Sequence, residues 1–161
     1  MICWMQQCPA AQAKNFKGDA MKILIPMDGS DSANHALNHV VESMTGFKEM
    51  PQLFLLNVQW KLSSGNVKRF INQETINDYY REQGMEALAA ARKKLDAAGL
   101  AYTYHISVGT PAEAIVQYAQ EQHIDQIVIS AHGQSKLSDL LLGSVVSKVL
   151  HLAVMPVLVI K

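Results

Sequence analysis

The sequence predicts an α/β fold, in which one domain is built on an open, doubly wound, five-stranded parallel sheet with helices on both faces. Three observations predict it. Short apolar runs that end in turn residues recur along the chain, as buried parallel strands do. Segments with apolar residues at helical spacing alternate with these runs. The 161 residues, of which 49% are hydrophobic, suffice for one ordinary core and require no second domain.

The first strand and helix are predicted just after residue 20. Residues 1–20 show no periodicity, so we expect a disordered or non-native extension followed by a domain of residues 21–161. KILIPM predicts a buried strand, and SDSANHALNHVVESM has the apolar spacing of a helix. Ser30 or Asp31 can cap the first turn of that helix.

The middle of the chain repeats the alternation. LFLLNVQW predicts a second buried strand and KLSSGNVKRF a polar loop. INQETINDYYREQGMEALAAARKKLDAAG predicts a long helix ended by Gly99, and Gly84 inside it weakens the helix enough to permit a break. AYTYHISVG alternates with the strand period, which favours a strand near the edge of the sheet.

The last third supplies two further strands. Thr110 to Glu113 form a capping-box pattern with Pro111 at the first helical position, which opens the helix AEAIVQYAQEQ. IDQIVIS predicts the fourth strand, HGQSKLSDLLLG a loop, GSVVSKVLHLA a helix and MPVLVIK the last strand. Such sheets bind ligands beyond the carboxyl ends of their strands, so we look for a site after Met27, Val58 and Ile129.

The composition excludes several classes of function. Lys+Arg and Asp+Glu both number 14, so the chain has no basic excess for nucleic acid and no polybasic patch for a membrane surface. Its two cysteines, Cys3 and Cys8, form no disulfide framework. No apolar run reaches the roughly 18 residues of a membrane span, and the start lacks the features of a signal peptide. We therefore expect a cytoplasmic protein.

The strongest candidate site follows the fourth strand. Gly133 lies in the loop after the strand, and Gly143 and Ser144 open the next helix. A glycine lets backbone approach a ligand closely, and the amides and dipole of a helix N-terminus favour phosphate. The pattern therefore predicts a phosphate-binding loop.

Here the sequence resembles the universal stress protein family. Nucleotide-binding members carry G-x2-G-x9-G-[ST] in a C-terminal segment similar to IVISAHGQSKLSDLLLGSVVSKVLHLAVMPVLVIK. Gly133, Gly143 and Ser144 match this motif, whereas Ser130 replaces its first glycine. KILIPMDGSDSANHAL and the segment 108–111 also resemble the family, so the likeness covers residues 21–161.

The resemblance implies the adenine-nucleotide α-hydrolase-like form of the fold. It also implies binding of ATP, or of ADP or AMP, with Mg2+ on the phosphates, and a stress-response regulator with no or very slow ATP hydrolysis. Asp28 would contact the adenosine, Val58 the adenine, and the start of the last helix the phosphates. No catalytic residue and no protein metal site is implied. The cofactor-binding residues carried over are Pro26, Met27, Asp28, Val58, Ile129, Ser130, His132, Gly133, Gly143, Ser144, Val145 and Val146.

Several alternatives stay open at the level of the sequence. Asp28 also suits a turn that caps the first helix, and His132 also suits a plain loop position. If the motif glycine requires positive φ, Ser130 carries a penalty of about 1 kcal/mol, and if it only makes room, a serine is tolerated. His35 and His39 share a helix face at a spacing that can bind metal, but no third ligand is apparent, so a solvated helix face is favoured.

The functional alternatives belong to different classes. One is a family member that binds no nucleotide and acts as a dimeric interaction protein. Another is an ATP-using enzyme with a pyrophosphate loop, since the segment 28–32 has a faint likeness to such a loop. We also expect a homodimer through the apolar strand 154–160, and the resemblance implies the same arrangement.

Overall fold

A computed structural model of the chain describes the backbone of residues 3–7 together with residues 20–61, 72–133 and 142–161. Within these ranges all predicted strands and helices are present. The strands are β1 (Cys3–Gln7), β2 (Lys22–Pro26), β3 (Gln52–Gln59), β4 (Tyr102–Val108), β5 (Gln126–Ser130) and β6 (Val157–Ile160). The helices are α1 (Asp31–Ser43), α2 (Gln73–Ala97), α3 (Pro111–Glu121) and α4 (Ser144–Leu152), with a 3-10 turn at Met44–Gly46.

The sheet has the predicted doubly wound order. Among the described residues its strands lie in the order β1-β4-β3-β2-β5-β6. The five strands from β2 to β6 pair in parallel, which confirms the predicted sheet. The chain moves from β2 outwards to β4 and then returns to β5 on the other side of β2. The order of the strands therefore reverses between β2 and β5, where a ligand site is expected.

Two hydrophobic cores cover the two faces of this sheet. Alternate residues of a strand point to opposite faces, so Ile23 and Ile25 pack with α1 and α2 while Leu24 packs with α3 and α4. All three side chains are buried. This double burial explains why β2 has an unbroken apolar sequence rather than an alternating one.

Most of the predicted helix ends are confirmed. The Ser30 hydroxyl accepts a hydrogen bond from the amide of Ala33, and Gly99 follows α2 with φ of 64°. Pro111 is the first residue of α3, as predicted, but the reciprocal capping box is wrong because the Thr110 side chain makes no capping hydrogen bond. Glu113 instead accepts a hydrogen bond from Lys148 of α4.

The break considered at Gly84 does not occur, because α2 continues without interruption from Gln73 to Ala97. A Cβ atom at residue 84 would lie 2.6 Å from Cγ2 of Ile106 in β4. The missing side chain therefore lets the helix pack directly against the sheet. Gly84, which in the sequence suggested a weak point of the helix, is a site of close packing between α2 and β4.

The N-terminal segment differs from the expectation over five residues. Cys3–Gln7 forms β1 and pairs antiparallel with β4, with Cys3 opposite Ser107 and Gln7 opposite Thr103. Pairing with a strand about 100 positions away has no local signature in the sequence. Residues 8–19 lie outside the described residues, and the division at residue 20 stays a prediction.

Candidate functional site

The candidate site lies at the carboxyl ends of β2, β3 and β5. Pro26 of β2 pairs with Leu56, and Leu24 pairs with Ile127. The same registers, continued by a few residues, place Asp28 level with Val58 on one side and with Ala131 on the other. The loops that follow Met27, Val58 and Ile129 therefore meet at the carboxyl end of the sheet.

Asp28 is held in place by the turn that follows β2. Its Oδ1 accepts a hydrogen bond of 3.0 Å from the amide of Ser30. Gly29 between them has φ of 82°, a conformation that favours glycine. The carboxylate thus contacts the turn before α1, as expected if Asp28 belongs to a turn that caps this helix. Its second oxygen, Oδ2, points towards the loop after β5.

Asn57 fixes the same turn from below. Its side chain is 2% exposed, and Nδ2 donates a hydrogen bond of 2.7 Å to the carbonyl of Met27. The amide of Met27 in turn donates to the carbonyl of Leu56 at 2.8 Å. A buried, satisfied amide of this kind holds a unique geometry, so Asp28 sits on a rigid support.

Gly133 lies close to the carboxylate of Asp28, whereas the predicted approach of its backbone to a ligand stays a prediction. A Cβ atom at this residue would lie 2.9 Å from Oδ2 of Asp28. Its φ is not positive, since among the described glycines only Gly29 and Gly99 have positive φ. The requirement at residue 133 is therefore space beside the carboxylate. Asp28 and Gly133 are 105 positions apart in the sequence and adjacent in the fold.

Ser130 is tolerated where the family motif has glycine. It is the last residue of β5 and has no positive φ, so the strained alternative does not apply. Its hydroxyl donates a hydrogen bond of 2.7 Å to the carbonyl of His132. The serine thus stabilises the loop that leads to Gly133.

Gly143 and Ser144 begin α4 beside this loop. The amide of Gly143 donates to the carbonyl of Ala131 at 2.9 Å, which closes the segment between them. The first helical hydrogen bond runs from the amide of Ser147 to the carbonyl of Gly143 at 3.0 Å. Helix geometry leaves the amides of residues 144–146 without partners inside the helix, and these are the donors a phosphate needs.

The predicted residues fall into two groups. The exposed or partly exposed group is Pro26, Asp28, Val58, His132, Gly133, Gly143, Ser144 and Val145. The buried group contains Ser130 and the core side chains of Met27, Ile129 and Val146, so these three can offer a ligand only their backbone. The spacer of the motif, residues 134–141, lies outside the described residues, as does the predicted loop over 62–71.

Few charged groups surround this surface. Lys148, one turn along α4, donates a hydrogen bond of 2.8 Å to Glu113 of α3. That hydrogen bond, with a second one involving Thr110, lowers the pKa of Glu113. The charge of Lys148 is thus directed towards α3. In the part of the chain that the structure describes, positive potential at the start of α4 comes mainly from the helix dipole.

The histidines do not assemble into a metal centre. His35 and His39 are exposed on α1, and the described residues contain no group of three or more potential metal ligands. His132 borders a cavity of about 260 Å³ between the first turn of α1 and the ends of β5 and β6. The cavity therefore lies between the motif loop and α1. The residues that line this cavity are Asp31, Ser32, His35, Ala131, His132, Ile160 and Lys161.

Two residues near the site were not predicted as functional. Asn57 lies next to Val58 in the sequence, but its hydrogen bond to the carbonyl of Met27 depends on the pairing of β2 with β3. Trp60 directly follows β3 and is 66% exposed at the same edge of the sheet. A large exposed aromatic residue two positions after Val58 was visible in the sequence, and its position next to a predicted base contact was the available signal.

Comparison with known proteins supports the family resemblance. Residues 20–161 match the model of the Universal stress protein family. Universal stress protein MJ0531 of Methanocaldococcus jannaschii is 32% identical over 141 residues, covering 87% of this chain and 81% of its own. Universal stress protein MJ0577 of the same organism is 31% identical over 156 residues, covering 87% of this chain and 94% of its own.

Solved structures share the fold. The structure of MJ0577 superposes with a TM-score of 0.75 at 31% identity, covering 88% of this chain and 95% of that one. A universal stress protein solved in complex with cAMP gives 0.64 at 23% identity, covering 88% and 97% of the two chains. An Arabidopsis thaliana family protein solved with AMP bound gives 0.63 at 20% identity, covering 88% and 91%. The last two show likeness of fold alone.

Proposed function

The chain belongs to the universal stress protein family, and on that premise we propose that it binds an adenine nucleotide, ATP or else ADP or AMP, at the carboxyl edge of its sheet. It would act in the stress response as a regulator or binding module of the cytoplasm. The observation that carries the proposal is the close approach of Gly133 to Asp28. It places a fixed carboxylate beside the loop that leads to the start of α4, where helix geometry leaves three amides without partners inside the helix.

The chemistry of the two ends gives the orientation of the ligand. A carboxylate accepts hydrogen bonds from hydroxyl or amine groups and repels phosphate, so Asp28 suits the nucleoside. The amides at the start of α4 donate and carry the positive end of the helix dipole, so they suit the phosphates. Val58 and Trp60 supply apolar and aromatic surface for the base. Mg2+ would neutralise the charge of the phosphate oxygens at this end of the site.

Two relatives in fold lend support from their ligands. One solved universal stress protein holds cAMP and another holds AMP. Both ligands contain adenosine and one phosphate, the two features that this edge of the sheet is suited to bind. Their low identity to this chain means that the support rests on the shared fold and not on matching side chains.

The same surface argues against fast hydrolysis. A hydrolytic site requires a general base placed to activate water. The ionisable side chains of the described site are Asp28, whose Oδ1 accepts the amide of Ser30, and His132 in the loop, with Asp31, His35 and Lys161 around the adjoining cavity. The family motif assigns a catalytic role to none of them. We propose no or very slow ATP hydrolysis. Measuring phosphate release from ATP under single-turnover conditions tests this, and turnover at the rate of an ordinary ATPase would contradict it.

A single substitution tests the phosphate end without disturbing the helix. Ser144 is the first residue of α4, where proline is tolerated, and Gly143 has φ of −58° and ψ of 152°, which suits a residue before proline. Ser144→Pro therefore removes one amide donor and keeps the helix. We expect calorimetry to show ATP affinity reduced by roughly 10-fold or more, the effect of one hydrogen bond to a charged group.

Two measurements complete this experiment. Ser144→Ala loses the hydroxyl but keeps the amide and serves as the matched control. Adenosine, which has no phosphate, should bind both variants as it binds the unmodified protein. Unchanged ATP affinity in Ser144→Pro would contradict the site. If the purified protein released no nucleotide and bound none, the alternative of a dimeric interaction protein without nucleotide would stand instead.

A further inference from the structure

We propose that the outer edge of β4 is a surface for self-association between two copies of this chain, and that β1 covers it. The sequence of β4, YTYHISV, contains no proline, no glycine and no acidic residue, lysine or arginine. Its tyrosines, threonine, isoleucine and valine all favour strands. Exposed edge strands usually carry a charge, a proline or a bulge that prevents pairing, and β4 lacks all three of these devices.

The faces of β4 cannot provide that protection. Tyr102, Tyr104 and Ile106 are buried in the core on the α1 and α2 face, and the ring of His105 lies 4.9 Å from that of Tyr118 in α3 on the opposite face. What remains open at this side of the sheet is the row of backbone groups that do not pair with β3. Those groups attract any extended strand, whatever its side chains.

β1 occupies this row in the described structure. Its five residues pair in register from Cys3 opposite Ser107 to Gln7 opposite Thr103. Because β1 runs antiparallel to β4, Gln7 lies at the end of the sheet where β2 begins. Three strand spacings, about 14 Å, separate Gln7 from the start of β2, whereas the residues 8–19 can span roughly 40 Å. The connection is long enough for β1 to dock on its own domain, and also to leave it.

A second copy of β4 is the partner that this edge fits best. Two identical strands that pair antiparallel across a two-fold axis form an isologous contact, in which each residue meets the same set of residues on the other copy. Two copies of β4 centred on His105 would place Tyr102 opposite Val108. Such a pair brings no carboxylate, lysine or arginine side chains together, because β4 has none, and the two copies of His105 that meet at the axis are buried in their own domains. When β1 leaves, the strand it covered is complementary to itself.

The first test measures whether β1 covers the edge. Successive strand amides point to opposite sides, so alternate amides of β4 face β3 and the others face β1. Hydrogen exchange followed by NMR in the unmodified chain should show both sets protected. Rapid exchange of the outward set, like that of an open strand edge, would overturn the proposal without any variant.

The second test displaces β1 and measures mass. Trp4→Pro with Gln6→Pro removes one set of β1 amides, and Cys3→Pro with Met5→Pro removes the other, so one of these pairs removes the donors that face β4. The outward β4 amides should then stay protected, now by a second copy of β4, in that variant. Its mass by light scattering should rise about twofold over the unmodified protein, whichever oligomer the latter forms. The other variant is its control.

A compensating substitution locates the association. Thr103 is partly exposed on β4, and Thr103→Lys adds a charge of the kind that protects natural edges. Added to the displaced variant, it should restore the original mass. It should also remove the protection of the outward β4 amides, because neither β1 nor a second copy then covers them. An unchanged mass in both proline variants, or a rise that Thr103→Lys does not reverse, would overturn the proposal. Protection that persists after Thr103→Lys has restored the mass would also overturn it, because something else would then cover the edge.

Discussion

A single methyl group added at residue 133 should change nucleotide binding without unfolding the domain, because Gly133 lies beside Asp28. Asp28 is anchored through Oδ1 to the amide of Ser30, so Oδ2 has little freedom to move away. A methyl group at residue 133 would approach it to 2.9 Å. At that distance either residue 133 or the carboxylate must shift, so the position of Asp28 relative to the loop would change.

We therefore expect Gly133→Ala to weaken nucleotide binding by about 10-fold, comparable to one hydrogen bond to a charged group. The melting temperature should change little. Gly109→Ala is the matched control, since it follows β4 at the same edge and its Cβ would meet nothing within 4 Å. Calorimetry with ATP distinguishes the two variants, and equal affinities would show that the position of Asp28 does not matter for the ligand.

At the scale of elements, α2 and β4 meet where residue 84 has no side chain. Alanine is the better helix former by about 1 kcal/mol, so Gly84→Ala would normally stabilise a helix. Here the new Cβ would lie 2.6 to 2.8 Å from three carbon atoms of Ile106. Overpacking of this kind costs about 1–3 kcal/mol. The clash should exceed the gain in helix propensity.

A double-mutant cycle makes the prediction sharp. Gly84→Ala should lower the free energy of unfolding in the unmodified protein. In the background of Ile106→Ala, which removes all three contacting atoms, the same substitution should raise it by about 1 kcal/mol. Urea denaturation measures both effects. The same sign in both backgrounds would show that close packing against Ile106 is not the reason for the glycine.

These elements also show how much the sequence could predict. The five parallel strands and four helices follow from local patterns, because apolar runs, the Ser30 cap and the αL position of Gly99 are all encoded within a few residues. β1 could not be predicted, because its stability comes from hydrogen bonds to β4 about 100 positions away. The break considered at Gly84 was wrong for the same reason, since only the fold brings Ile106 to that position.

The site was predicted in the same uneven way. The motif placed Gly133, Gly143 and Ser144 after the fourth strand, and the strand order brought them near Asp28. What local reasoning could not supply was the reason for each glycine. Space beside Asp28 determines residue 133, whereas positive φ plays no part there. The bond between Asn57 and Met27 likewise depends on the register between β2 and β3.

At the scale of the whole molecule, the sheet has two unlike edges. β1 covers β4, whereas β6 at the other edge pairs only with β5 among the described strands. Val154 is 79% exposed and Leu158 38%, and the segment 154–160 has no charged residue. Leu150 and Leu152 of α4 are also exposed. Exposed apolar side chains beside an open strand edge favour association.

We predict a homodimer through the strand 154–160. Light scattering should give about twice the chain mass of 17.8 kDa at micromolar concentration. Leu158→Lys should reduce that mass to one chain by placing a charge in the contact. Gln120→Lys adds the same charge at an exposed position of α3 and should leave the dimer intact. A monomeric unmodified protein would contradict the prediction directly.

The pH dependence of stability follows from one buried ring that connects β4 with α3. His105 is 1% exposed, and burial lowers its pKa because it disfavours the charged imidazolium, while Glu121 partly opposes this effect. In the unfolded chain the pKa returns to about 6.5, so below that value the unfolded state binds more protons than the folded one. The contribution of His105 to stability is therefore complete above about pH 6.5 and is lost as the pH falls towards the lower pKa of the folded state.

His105→Phe keeps an aromatic ring beside Tyr118 and removes the titration. Urea denaturation at a series of pH values between neutral and mildly acidic should show a steeper loss of stability for the unmodified protein than for this variant. If the two curves ran parallel, protonation of His105 would not be part of acid unfolding.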